Sequence, residues 1–161
     1  MSITLCMIVK NEENYLRECL ESVRNLVDQI VVVDTGSTDS TIPIAKEFNA
    51  EVFYFKWIKD FSAARNFALS KSACDWILYL DADERLSADG ISEIKSITKT
   101  NEFIGVNCFV KSPDDESARE NVISYPRLFR NSDKIKFTGS VHDQIIESLI
   151  ANNYKIIKST I

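Results

Sequence analysis

The sequence predicts an α/β protein with a mostly parallel central sheet and a smaller β-rich part at its C-terminal end. Three observations carry this. Short continuous apolar runs recur at 4–9, 30–33, 52–55 and 76–80, as expected of strands buried on both faces. Helical spacing separates the runs, so strand and helix alternate at least three times, which favours parallel pairing through right-handed crossovers. Beyond about residue 100 the helices thin out and strand-like segments follow.

The first run, 4–9, ends at Lys10-Asn11. Asn11 is expected to cap a helix with Glu12 and Glu13 in its first turn and an apolar stripe of Leu16, Cys19, Leu20 and Val23. The second strand, 30–33, stops at Asp34, and the residues 35–40, Thr-Gly-Ser-Thr-Asp-Ser, carry turn and cap chemistry. Pro43 then fits the first turn of a helix reaching about residue 48. After the third strand, 52–55, a helix over 62–70 puts Ala64, Phe67 and Ala68 on one face. The fourth strand, 76–80, runs directly into Asp81-Ala82-Asp83-Glu84. Ser87 is expected to cap a further helix with Ile91, Ile94 and Ile97 inward. The C-terminal part reads as strands at 103–111, 124–130 and 134–141, with a polar, acidic loop at 112–121. Segments 145–150 and 154–161 flank Ala151-Asn152-Asn153 and read as a hairpin, or as a helix over the first segment.

A chain of 161 residues is one domain by size and can bury roughly 70% of its unfolded surface. A net charge of −5 argues against nucleic acid as a partner, because phosphate backbones need clustered Lys and Arg. A nucleotide ligand would need a divalent cation to offset its charge. The cysteines at 6, 19, 74 and 108 form no CxxC pair and read as reduced thiols. The apolar start lacks a basic leader region, and no run approaches the ~20 apolar residues of a membrane span. A cytoplasmic location is expected, with peripheral association at the inner face of the membrane left open.

In open parallel sheets ligands bind outside the carboxyl ends of the strands, where Asp34 and the Asp81 cluster both fall. In extended geometry the carboxylates of Asp81 and Asp83 point to one side with Ala82 opposite. Such a pair repels unless a cation sits nearby, and hard oxygen ligands suit Mg²⁺ or Mn²⁺; the bland reading is a solvated acidic turn. His142, followed by Asp143, becomes a further metal ligand if the C-terminal part folds back over the sheet edge. Asp34 either accepts a hydrogen bond from a nucleobase or ribose, or caps its own turn. Arg65 and Asn66 lie on a helix facing the same edge, with Arg65 in place to meet phosphate or sugar. Nothing matches a GxGxxG or GxxxxGK[ST] loop.

The motifs CMIVKNEE at 6–13, VVVDTGSTDST at 31–41, FSAARNFAL at 61–69, WILYLDADE at 76–84, RLFRN at 127–131 and GSVHDQ at 139–144 together resemble family 2 glycosyltransferases of the GT-A, or nucleotide-diphospho-sugar transferase, fold. The similarity is to the branch that holds lipopolysaccharide-core glucosyltransferases and peptide-glycosylating enzymes. It implies an inverting hexosyltransferase with a UDP-type sugar donor, Mn²⁺ or Mg²⁺, and a saccharide, lipid-linked or peptide acceptor attacking through a hydroxyl or thiol. By motif, Asp34 meets the nucleobase, Arg65 and Asn66 line the donor pocket with Ala82, Asp81 meets ribose or bound water, and Asp83 holds the metal with Asp81 and His142 alongside. Asp143 is the expected base, with Glu84 behind it; relatives usually carry Glu at the position of Asp143.

The resemblance also implies one GT-A domain over 1–161, with a nucleotide-binding half to about residue 100 and an acceptor-side half from 101 that is cut short, which leaves a homodimer open. Two other readings share these residues: a nucleotide-sugar-binding domain that transfers nothing, and a sugar-nucleotide nucleotidyltransferase. The second typically has a Gly-rich basic loop where this chain has Lys10-Asn11-Glu12-Glu13. Turnover separates the first from an enzyme.

Overall fold

A computed structural model describes residues 1–113, 120–141 and 144–159, with the side chains of 112, 113, 120 and 121 left aside. In chain order the elements are β1 (Ile3–Val9), α1 (Leu16–Val23), β2 (Gln29–Asp34), α2 (Thr41–Glu47), β3 (Glu51–Tyr54), α3 (Phe61–Leu69), β4 (Trp76–Tyr79), α4 (Ala88–Ile97), β5 (Ile104–Pro113), β6 (Glu120–Arg130), α5 (Ile146–Ala151) and β7 (Lys155–Lys158). The strands form one sheet in the order β3-β2-β1-β4-β6-β5-β7. Strands β1 to β4 are mutually parallel, β6 runs antiparallel to both β4 and β5, and β7 is parallel to β5. The expected α/β class with a mostly parallel sheet is therefore what the chain adopts.

Alternation along the strands builds a core on each face. Ile3, Leu5, Met7 and Val9 of β1 join Trp76 and Leu78 of β4 under α1, α2 and α4. Cys6, Ile77 and Tyr79 point the other way, into a cluster with Val31, Val33, Phe129, Phe137 and Leu149. Each such large apolar side chain contributes about 1.5–3 kcal/mol on burial, so the pleat fixes which side of the sheet each strand serves.

Several expectations change. Asn11 does not cap α1: it adopts a left-handed backbone conformation (φ 58°), and the helix starts at Leu16, leaving Glu12 and Glu13 in the preceding loop. Asn11 instead accepts a hydrogen bond from the Thr38 N–H (2.8 Å), and the Glu12 N–H donates to Thr41 Oγ1 (2.7 Å). Side-chain bonds thus lace together the loops after β1 and β2. The caps expected of Ser87 forms as read, its hydroxyl accepting from the Gly90 N–H (3.0 Å).

Residues 134–141 are not a strand. Ile135 and Phe137 are buried as their alternation required, but the backbone pairs through the Asn66 side chain and one isolated bridge, Thr138 with Gln144. Nor is the C-terminal end a hairpin: α5 covers the first segment, and β7 joins the far edge of the sheet beside β5. Asn153 turns the chain between them in a left-handed conformation, as Asn does after a helix end. The acidic loop expected at 112–121 is shorter, since Ser112 pairs with Asn121 and Pro113 with Glu120; the residues 114–119 lie outside those described.

Candidate functional site

Strand β1 has β2 on one side and β4 on the other, the point in an open α/β sheet where a crevice forms at the carboxyl ends. A cavity of about 800 Å³ opens there, lined by Lys10, Glu12, Thr35, Trp57, Arg65 and Asp83 among others. Trp57 packs edge-on to Phe61 with ring centroids 4.8 Å apart, giving one wall an aromatic surface. Two further cavities adjoin it: one of about 870 Å³ reaching Phe109, Val122 and Arg127, and one of about 520 Å³ reaching Asn107, Tyr125 and Gln144. Asp81 lines all three.

The segment after β4 is a turn and not the extended stretch expected, because the Glu84 N–H donates to the Asp81 carbonyl (3.0 Å). The Asp81 N–H donates to Glu84 Oε2 (2.9 Å), closing the turn from the other side. Ala82 is buried within it, and Asp83 is exposed at its tip. Among the described residues Asp83 has no hydrogen bond or ion pair of its own.

Asp81 is held by two cations. Arg65 Nη2 meets Oδ1 at 2.8 Å and Arg127 Nη2 meets Oδ2 at 3.3 Å. Burial would raise the Asp81 pKa, but the two guanidiniums outweigh it and hold the carboxyl below its usual range. Arg127 also grips Glu84 Oε1. Burial pushes the Glu84 carboxyl above its ordinary value despite Arg127 and the Asp81 N–H. Both guanidiniums stack near the Tyr79 ring, Arg65 at 5.2 Å and Arg127 at 4.6 Å from its centroid, as desolvated arginines favour. The two arginines and two carboxylates balance, which is how buried charge is tolerated.

Chain order explains the assembly. Asp60 caps α3, accepting from the Ala63 N–H (2.9 Å), and this sets the helix that carries Arg65 toward Asp81. Arg127 arrives because β6 runs against β4: Leu78 pairs with Leu128, so the residue before Leu128 lies at the carboxyl edge of β4.

Two residues expected at the donor also hold the scaffold. Asp34 is buried and accepts from the Gly36 and Ser37 N–H groups (3.2 and 3.0 Å); Thr35, its neighbour, lines the cavity. Asn66 exchanges two hydrogen bonds with the Phe137 backbone (2.9 and 2.8 Å), pinning 134–141 to α3. Glu84, expected as a reserve base, has both oxygens engaged. His142 and Asp143 lie outside the described residues. Among those described, no three His, Cys, Asp or Glu side chains gather as a metal cage. Arg127 opens the RLFRN motif, from which no role is expected of it; its signal in the sequence is a cation between apolar neighbours in a buried strand, which requires a partner.

The cavity is acid-rich. With Asp81 matched by its arginines, Glu12 and Asp83 face Lys10. Burial first, then Asp83, Asp39 and Asp81, raise the Glu12 pKa.

The family model described as "Glycosyl transferase family 2" matches residues 4–157. Glycosyltransferase SunS of Bacillus subtilis is 35% identical over 145 residues, 89% of this chain and 34% of that protein. The chain spans about a third of the length of the curated relatives it matches. The crystal structure of Staphylococcus aureus TarS superposes with a TM-score of 0.73 at 16% identity, over 99% of this chain and 36% of that one. Glucosyl-3-phosphoglycerate synthase from Mycobacterium tuberculosis, in complex with Mn²⁺ and UDP-glucose, superposes with a TM-score of 0.56 at 23% identity, over 67% of this chain and 43% of that one. The likeness to both is one of fold.

Proposed function

The chain belongs to glycosyl transferase family 2, and on that premise we propose that it moves a sugar from a UDP-sugar to an acceptor hydroxyl or thiol, with inversion and with a divalent ion at Asp83. The observation that carries this reading is the exposed Asp83, free of ion pairs among the described residues, at the tip of a turn in an acid-rich cavity at the sheet's switch point. A diphosphate is disfavoured by such acids on its own and favoured with a cation between, and Mn²⁺ or Mg²⁺ at diphosphates takes one or two carboxylates plus phosphate oxygens and water. The residues present therefore fit the ion. When bound, it would stabilise the charge gained by the departing nucleoside diphosphate. The Mn²⁺ and UDP-glucose in the mycobacterial synthase support the same assignment.

The residues divide the work. Asp83 holds the ion. Asp81 keeps Arg65 at the donor cavity, where its guanidinium is placed to meet phosphate or sugar. Asp34 sets the loop that presents Thr35 to the nucleobase end, and Trp57 offers an apolar face there. Residues 1–100 thereby form the nucleotide-binding half, and 101–161 supply the acceptor side through the cavities reaching Phe109 and Tyr125. An inverting displacement needs a base within hydrogen-bond reach of the attacking atom. Asp143 takes that role, since Glu84 is committed to Arg127 and the Asp81 N–H. The acceptor is a saccharide, lipid-linked or peptide group. No helix among the described residues is long and apolar enough to cross a membrane.

UDP release from UDP-sugars, measured with and without Mn²⁺, tests the reading. Wild type should turn over only with the ion, and Asp83→Ala should lose about 10²–10³-fold. Turnover indifferent to both the ion and the substitution would remove the mechanism.

A further inference from the structure

Asp83 makes no bond of its own among the described residues, so the turn that carries it sets its direction. That turn is closed by the Asp81 N–H to Glu84 Oε2 (2.9 Å) and the Glu84 N–H to the Asp81 carbonyl (3.0 Å). One side chain bridges the carboxylates at its two ends: Arg127 Nη2 contacts both Asp81 Oδ2 and Glu84 Oε1. Arg127 is almost wholly buried, with its side chain 9% exposed. It lines the cavities of about 870 and 520 Å³ but is absent from the walls of the donor cavity, where Arg65 stands.

We propose that Arg127 is a positioning residue for transfer: from the side away from the donor it ties Asp81 to Glu84 and so fixes the turn that aims Asp83. The proposal rests on the sugar-transfer reading above. Without the guanidinium, Asp81 keeps Arg65 while the largely buried Glu84 carboxylate beside it loses its cation, and repulsion between the two carboxylates opens the turn. Glu84 is the other half of the same device, because it is the acceptor through which Arg127 reaches the backbone of Asp81. Packing of Arg127 between Tyr79 and Tyr125 (4.6 and 5.4 Å to the ring centroids) would give it a merely structural role, and that role makes different predictions.

The test compares wild type with Arg127→Met, Glu84→Gln and the double variant. UDP affinity without metal is read by calorimetry, Mn²⁺ affinity in the presence of UDP by the free-ion electron paramagnetic resonance signal, and turnover by UDP release from UDP-glucose, UDP-galactose and UDP-N-acetylglucosamine. Both single variants should keep metal-free UDP affinity and lose about 10–100-fold in Mn²⁺ affinity and turnover. The double variant should be no worse than Arg127→Met, because each change breaks the same turn. Wild-type Mn²⁺ affinity in either single variant, single effects that multiply, or UDP affinity falling in step with melting temperature would overturn the proposal. If Arg127→Met does not fold, Glu84→Gln, which keeps the side chain's shape, decides it alone. A wild type that neither binds UDP nor releases it from any of the three sugars overturns the transfer reading itself, and this proposal with it.

Discussion

Cysteine chemistry shows how burial at single residues fixes reactivity. Burial pushes the thiols of Cys6 and Cys19 from 9.0 up to about 12, and that of Cys108 to about 11. These groups stay protonated at pH 8, and the thiolate is the nucleophile. Native protein treated with a maleimide at pH 8 should therefore label at Cys74, which is partly exposed, well before the other three; equal rates at all four would contradict the buried positions. The raised values also act on stability. A neutral buried thiol stabilises the fold fully below the unfolded value, and that contribution is lost as pH rises from about 9 toward 12, so urea midpoints should fall over that window. Legibility was uneven at this scale. Asp81, Asp83 and Arg65 stood out because a strand end and a helix placed them at the binding edge. The bonds that Asp34 and Asn66 make to nearby backbone were not legible, because they depend on which backbone groups the neighbouring loops leave unpaired.

Secondary-structure elements place the site through one cap and one reversed strand. Asp60→Ala removes the acceptor for the Ala63 N–H and should cost about 0.5–2 kcal/mol in urea unfolding. It should also weaken donor binding, since Arg65 begins one turn later on the same helix; an unchanged midpoint would mean the cap carries nothing. The first four strands were legible because parallel strands buried on both faces read as unbroken apolar runs. The segment 134–141 was misread for a physical reason. A period of two states that alternate side chains are buried, not that the backbone has a strand beside it, and here Asn66 supplies the pairing. The position of β7 was hidden likewise: local sequence suggested a hairpin partner nearby, while its neighbour in the sheet is β5, across α5 and β6.

For the whole molecule, ligand and fold are linked through the native state. A ligand that binds only the folded chain stabilises it by RT ln(1 + [L]/Kd), about 2.7 kcal/mol at a hundredfold excess over Kd. UDP with Mn²⁺ should raise the melting temperature more than either alone, and GDP should do less; equal shifts for both nucleotides would show that the Thr35 and Trp57 end does not read the base. The sheet also separates what must be constant from what can vary. Strand β6 is held in register by β4 at the end far from the connection at 114–119, where Trp76 pairs with Arg130 and Leu78 with Leu128. Insertions or deletions in that connection can therefore accumulate without sliding Arg127 along the sheet, so the two ends of one strand are free to change at different rates while the charged machinery stays in register.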